Sequence, residues 1–401
     1  MAANSSAGAL AGLRVLELGQ LIAGPYCTRL LAEFGAEVVK LEPPNGGDAL
    51  RGWRKLHQGT SLWWLAQARN KKSIAVDLRV AEGQAIAREL AKQADIVVEN
   101  FRPGTLERWG LGYDSLAAAN PGLVMVRLSG FAQTGPYRDR TGFGAVGEAM
   151  GGLRYLTGYP DRPPVRVGVS IGDSIAALFG AFGAMVAIEQ RHKSGRGQVV
   201  DVALYEAIFA MMESLIPEYD RFGFVRERSG SVVAGIAPTN TYTCKDGKHV
   251  VIAGNGDSIF KRLMTAVERP DLGADPQLAS NAGRVERMAE IDAAIQAWCE
   301  RYDIDQVLAT MEQADVPSGK IYNVADMMDD AQFIARGMIE RHMLSDGSSI
   351  RLPGIVPKLS ATPGDTQWLG PSLGAHTDEV LQAIGFDAQR RDDLRARGVI
   401  R

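Results

Sequence analysis

The chain has 401 residues, 46% apolar and 23% charged, with a net charge of −3. That length suggests two domains, and the composition is that of a protein able to bury a large core. No basic excess points to nucleic acid or to an anionic membrane as a partner, so any anion site must come from local Arg and Lys groups.

The opening stretch MAANSSAGALAG is small and uncharged and does not read as a signal peptide. Residues 14–18 (RVLEL) read as a short strand, with a helix following Pro25, and residues 38–42 (VVKLE) as a second strand. Residues 83–93 carry a helical pattern and lead into a strand at 95–100 (DIVVEN), and 123–129 (LVMVRLS) is another. Such alternation predicts an α/β fold with a Rossmann-like parallel sheet and helices on both faces. Ligands on these sheets bind beyond the carboxyl ends of the strands, which directs attention to residues 19–25, 42–48, 100–104 and 130–144.

Residues 173–190 and 202–215 read as long apolar helices. No run of 18 apolar residues occurs, and 175–188, the most apolar stretch, is rich in Gly and Ala. A polar linker at 219–231 precedes a hairpin signal, NTYTCKDGKHVVIAG, with Asp246-Gly247 at its turn. Helical patterns at 259–267 and 285–302 complete a smaller α+β unit. Beyond Met328 come a strand-like IRLPGIVPKLS and a helix after Thr377. The expected division is a large domain over 1–218, a linker over 219–231, a small domain over 232–327, and a segment over 328–401 returning to the large domain. Cys27, Cys244 and Cys299 form no C-x-x-C pair and fit free thiols in a reducing cytoplasm.

The richest local signal is VRVGVSIGDSIAALFGAFGAM, residues 165–185. It admits three readings. Gly168-Val169-Ser170-Ile171-Gly172 matches G-x-S-x-G, the elbow of a serine hydrolase or thioesterase with Ser170 as nucleophile. Ser170-x-x-Asp173 before an apolar run is also a capping box, a far commoner use of such residues. Third, Asp173 is itself a nucleophile. With a reference pKa of ~3.9 a carboxylate is ionised at neutral pH and needs no activating base, whereas a serine needs an imidazole. A carboxylate attacking a thioester gives a mixed anhydride, and the expelled thiolate can attack back.

GVSIGDSIAAL, followed by RHKSGRGQVVDVALYEA, resembles the core signature of class III CoA-transferases. So do LAGLRVLELGQLIAGPYCTRLLAEFGAEVVKLEPPNGGD, NKKSIAVDLR, ADIVVENFRPGTLERWGLGYDSL and LGAHTDEVL, in order along nearly the whole chain. The resemblance implies Asp173 as the covalent residue, an interlocked homodimer, and acyl-CoA with small carboxylic acids, dicarboxylates such as succinate among them, as substrates, with no permanently bound cofactor. It implies CoA contacts at Ile22, Ala23, Val76, Asp77, Leu78, Arg79, Asn100, Phe101, Arg102, Arg108, Thr141, Gly142, Phe143 and Gly144. Two positions depart from the family pattern: Pro43 stands where a basic residue often follows the second strand, and Gly144 where a carboxylate is common. Gly254, Asn255 and Gly256 fall where a flexible loop covers the acyl group; as an ordinary turn, the same stretch would use Asp257 or Ser258 as a helix cap. The long glycine run of formyl-CoA transferases is absent.

Racemases of α-methylacyl-CoA, the nearest alternative, need a His thirty residues before the Asp, and Phe143 stands there, with no lone pair to move a proton. A non-enzymatic CoA-binding protein is a further alternative. His57, His192, His249, His342 and His376 form no metal-binding spacing, and no metal site is expected.

Overall fold

The computed structural model describes residues 8–401, so the first seven residues of the N-terminal stretch read above lie outside the described residues. Six strands, β1 (Arg14–Glu17), β2 (Glu37–Glu42), β3 (Lys71–Ala75), β4 (Ile96–Glu99), β5 (Val124–Ser129) and β6 (Val199–Ala203), form one sheet in the order β3-β2-β1-β4-β5-β6. Every neighbouring pair is parallel. Side chains on successive residues point to opposite faces, and along β1–β5 both faces are largely buried, as in a sheet covered by helices on either side. Leu16, Val97 and Met125 enter one core with Ile86 and Leu90 of α2 (Ala81–Gln93). Val15, Ile96, Val98 and Val126 enter the other with Cys27 and Leu31 of α1 (Ala23–Ala32). Pro25 lies in the first turn of α1, where its missing N–H costs nothing, so the helix starts before it.

Two strands of this sheet went unread in the sequence. β3 begins with two lysines, which hide its strand character. β6 overlaps only the start of the helix expected over 202–215; Val-Val-Asp-Val-Ala extends beside β5, followed by the short helix α5 (Leu204–Phe209). An apolar run of this length fits either period, and its β-branched residues decide for the strand. The first part of the expected linker is helical, Leu215–Phe222. The helix expected over 285–302 is two, Asn281–Glu286 and Met288–Cys299. Of the strand-like IRLPGIVPKLS, only Ser349–Pro353 is a strand, paired with Ile339–Met343.

Beyond α3 (Gly144–Met150), α4 (Ile171–Ser194) is by length and composition apolar enough to cross a membrane, which the sequence reading did not anticipate. One side of it, Ala176, Ala177, Gly180, Ala181, Ala184 and Ala187, packs against the sheet. A β-carbon at Gly180 would lie 3.2 Å from Leu128 and 3.3 Å from Cys27 Sγ, so small residues set how near this helix approaches. The other side exposes Leu178, Phe182 and Val186.

The chain forms two units. One comprises the residues up to Arg154, Val167–Gly223 and Met338–Arg401; the other is Tyr155–Arg166 with Phe224–Gly337. In the second, β7 (Thr239–Thr243), β8 (His249–Ala253) and β9 (Ser318–Lys320) make an antiparallel sheet covered by α6 (Asp257–Ala266) and its neighbours. The turn of the β7–β8 hairpin contains Gly247 at φ +74°, a conformation glycine adopts without strain. Returning to the first unit, the chain covers the outer edge of β3. His376 Nδ1 accepts from Ser73 N–H (3.1 Å), and His376 N–H donates to Ser73 C=O (3.0 Å). Thr377 Oγ1, at the start of α7 (Thr377–Ala383), accepts from Ala75 N–H. Arg401 N–H donates to Ala75 C=O, and Val399 C=O accepts from Asp77 N–H.

Candidate active site

The strand order reverses at β1, and a parallel sheet leaves a crevice at such a point, beyond the carboxyl ends of the strands. A cleft of about 360 Å³ lies there. Leu18 and Gln20 come from β1 and its loop, Leu41 and Pro43 from the end of β2, and Phe101 and Trp109 from beyond β4. Four expected contacts, Val76, Asp77, Leu78 and Arg79, form the wall after β3. Arg79 is largely exposed and grips Asp77 through two hydrogen bonds of 2.9 and 2.8 Å. Trp109 was not read in the sequence; it meets Phe101 edge-on, ring centroids 5.4 Å apart, and gives the cleft a second aromatic surface.

The other expected contacts take different places. Ile22 and Ala23 are buried at the start of α1, and Ile22 C=O accepts from Gln67. Asn100 is a clamp: its Oδ1 accepts from Gln20 N–H and its Nδ2 donates to Gln20 C=O, both at 2.8 Å. A β-carbon at Gly19 would come within 2.9 Å of Asn100 Oδ1, so this approach requires glycine. Arg102 and Arg108 are exposed beside the aromatic pair, and Arg108 donates to Thr105.

Beneath residues 19–25 lies a fully buried charge cluster. Lys40 Nζ donates to Glu17 and to Gly19 C=O, both at 2.7 Å, and pairs with Asp48 at 2.9 Å. Lys71 Nζ donates to Glu17 and to Pro25 C=O. Asp48 in turn accepts from Leu21 N–H, at a residue held at φ +65°. Burial pushes the Glu17 carboxyl up, but Lys40 and Lys71 together outweigh it and hold it below its ordinary value. Burial brings Lys71 down to about 8, and the neighbouring Lys40 charge adds to the fall against the opposing pull of Glu17. The backbone of this loop is thus fixed by buried side chains beneath it, an arrangement a ligand can use without ordering it first.

Asp173 lies in the first turn of α4, half-buried. Its carboxylate rests on Gly144, the first residue of α3: a β-carbon at 144 would collide with Asp173 Oδ2 and lie 2.7 Å from Cγ. Thr141, Gly142 and Phe143 lead into this contact. Gly142 packs on Gly130, a β-carbon there lying 2.9 Å from Gly130 Cα, and Phe143 is 64% exposed. Ser170 is the N-cap of α4 but makes no side-chain cap bond, so the expected capping box is not formed. A hydrolase elbow needs a strand directly before the serine, and residues 158–170 hold none. The histidines are engaged elsewhere: His57 with Asp346, His192 with Glu189, His249 with Thr243, His342 with Glu340, and His376 with Ser73.

Gly254, Asn255 and Gly256 belong to the second unit, between β8 and α6. The fully buried Arg284 donates to Asn255 C=O and to Asp257 Oδ1, each at 2.8 Å, and Gly254 N–H donates to Pro238 C=O, so this loop is pinned. The cap of α6 is Gly256, not Asp257 or Ser258; Asp257 is instead the first helical residue.

A family model described as CoA-transferase family III matches residues 10–377. The chain is 52% identical over 390 residues to a succinyl-CoA–D-citramalate CoA-transferase of Chloroflexus aurantiacus, covering 97% of each chain. It is 42% identical to the alpha subunit of a succinyl-CoA–L-malate CoA-transferase from the same organism, covering 98% of this chain and 92% of that one. Among solved structures, a CAIB/BAIF family protein from Brucella suis superposes with a TM-score of 0.84 at 32% identity, over 94% of this chain and all of that one.

Proposed function

This chain belongs to CoA-transferase family III, moving CoA between an acyl-CoA and a carboxylic acid, and from that premise we propose that succinyl-CoA is the donor, a small hydroxylated dicarboxylic acid the acceptor, and Asp173 the residue that carries first the acyl group and then CoA. The observation that carries the assignment to Asp173 is its carboxylate, half-buried in the first turn of α4 and lying over a glycine, where no side chain at 144 shields it. The donor and acceptor follow from the relatives, whose names pair succinyl-CoA with citramalate and malate.

The chemistry is a sequence of acyl exchanges. The Asp173 carboxylate attacks the thioester carbonyl, the C–S bond breaks, and CoA leaves as thiolate, giving an acyl–aspartyl anhydride. The thiolate attacks Asp173 Cγ and releases the donor acid as carboxylate, leaving an aspartyl-CoA thioester. The acceptor carboxylate then attacks Cγ and expels thiolate. Attack of that thiolate on the acceptor carbonyl yields the new acyl-CoA and restores Asp173. Each step exchanges one carboxylate or thiolate for another, so no base or redox group enters. The cleft, with its aromatic pair and its Arg79–Asp77 wall, takes the nucleotide of CoA. Phe143 gives no proton for racemisation.

The protein acts as a homodimer in this reading, because α4 turns Leu178, Phe182 and Val186 outward at helical spacing and a second copy is the surface that covers them. The deciding experiment is transfer from succinyl-CoA to citramalate or malate, followed by chromatography of the CoA esters. Asp173→Ala abolishes transfer, whereas Ser170→Ala retains activity within about fivefold, since a hydroxyl outside the reaction contributes little. The reverse pattern would overturn the assignment.

A further inference from the structure

Helix α4 places Asp173 in its first turn, so whatever fixes that turn fixes the nucleophile. The serine that precedes the helix makes no cap bond with its side chain. The N–H of Gly172, one residue before Asp173, is instead received by Glu148 Oε1 at 3.3 Å. Glu148 is 2% exposed, and its second oxygen accepts from Arg154 at 2.9 Å. It projects from α3, the helix against which the Asp173 carboxylate also lies.

The two helices leave each other no room. A β-carbon at Gly172 would come within 2.9 Å of Gly144 C=O and 3.1 Å of Glu148 Cγ. Gly147 of α3 and Gly151, which caps that helix, close on α5, where β-carbons would stand 2.8 Å from Leu204 Cβ and 2.6 Å from Ile208 Cβ. α3 is therefore wedged between the start of α4 and α5, and Glu148 ties it to the backbone beside Asp173. An N–H at a helix start has no partner within its own helix, so this carboxylate supplies one from a neighbouring element.

We propose that Glu148, held by Arg154, is the positioning residue for Asp173: it touches no substrate but sets where the first turn of α4 presents the carboxylate. The inference rests on the reading of Asp173 as the covalent residue. Displacement of a reacting group by about 1 Å costs on the order of a hundredfold in rate.

Glu148→Leu removes the acceptor for Gly172 N–H, whereas Glu148→Gln keeps an acceptor oxygen. Expected for Glu148→Leu is a kcat lower by about 10–100-fold with KM for succinyl-CoA within about twofold, and for Glu148→Gln a kcat restored to within about fivefold of wild type. Mass spectrometry of rapidly quenched single turnovers reads the step directly: the CoA adduct at Asp173 forms more slowly in Glu148→Leu by the same factor as kcat. If Glu148→Leu does not fold, Arg154→Met, which frees the Glu148 carboxylate from its partner, carries the test, with kcat at least about threefold lower at unchanged KM. An adduct forming at Asp173 at the wild-type rate in Glu148→Leu, or an unchanged kcat in Arg154→Met, overturns the positioning role and leaves the Asp173 reading standing. A wild-type adduct on another residue overturns both.

Discussion

Gly144 does its work by having no side chain. The carboxylate of Asp173 fills the volume that a β-carbon would take. Gly144→Ala therefore forces either Asp173 or α3 to move, and the flexible side chain yields first. Steady-state kinetics on Gly144→Ala should show kcat lower by about 10–100-fold with KM for succinyl-CoA little changed, and a melting temperature within a few degrees of wild type. A wild-type kcat would mean that the carboxylate reacts from another position. The sequence carried Asp173 through its spacing and its ionised state, but it presented position 144 as a CoA contact and a missing acid, not as the seat of the Asp173 carboxylate. Contact between residues 29 positions apart follows from the crossing of α3 and α4, and no local pattern encodes that crossing. Asn100 shows the converse: its place after β4 was legible, while its commitment to Gln20 depends on a loop 80 residues earlier.

Among the elements, β3 is the one whose stability is borrowed. It is one of the two edge strands of the sheet, and an open edge invites pairing with other chains. His376 guards it through Nδ1, an acceptor only while that nitrogen is unprotonated. Burial holds the imidazole below its ordinary value of 6.5. A depressed folded value means that the unfolded chain binds the proton more readily. The stabilisation is therefore complete above pH 6.5 and is lost as pH falls through the lower folded value. The melting temperature of wild type should fall between pH 6.5 and 5 more steeply than that of His376→Gln, which cannot titrate; parallel curves would contradict this role. β3 itself was unreadable because its first residues are lysines, and what makes Lys71 a core residue is Glu17, on a strand it does not adjoin. The other four strands of the large sheet were legible because their apolar runs are bounded by turn residues. β6 was not, because a short apolar run fits a strand or a helix equally over five residues.

For the molecule as a whole, α4 has two lives: one side is core, and the other shows Leu178, Phe182 and Val186. Light scattering at micromolar concentration should give twice the chain mass of 43.2 kDa, and Phe182→Glu, which sets a charge in the middle of that strip, should shift the particle toward the single-chain mass. A wild-type monomer would contradict the dimer, and so would association that appears only with lipid vesicles. The covering of β3 by His376, Thr377, Val399 and Arg401 also bears on how the protein comes into being. Ribosomes make the strand first and its cover ~300 residues later, a wait of roughly 15–60 s at ordinary elongation rates. Throughout that interval the nascent chain lacks the residues that cover the outer edge of β3, so the window for chaperone binding and for mispairing between neighbouring polysomal chains is set by the time needed to translate the rest of the chain, the second unit included.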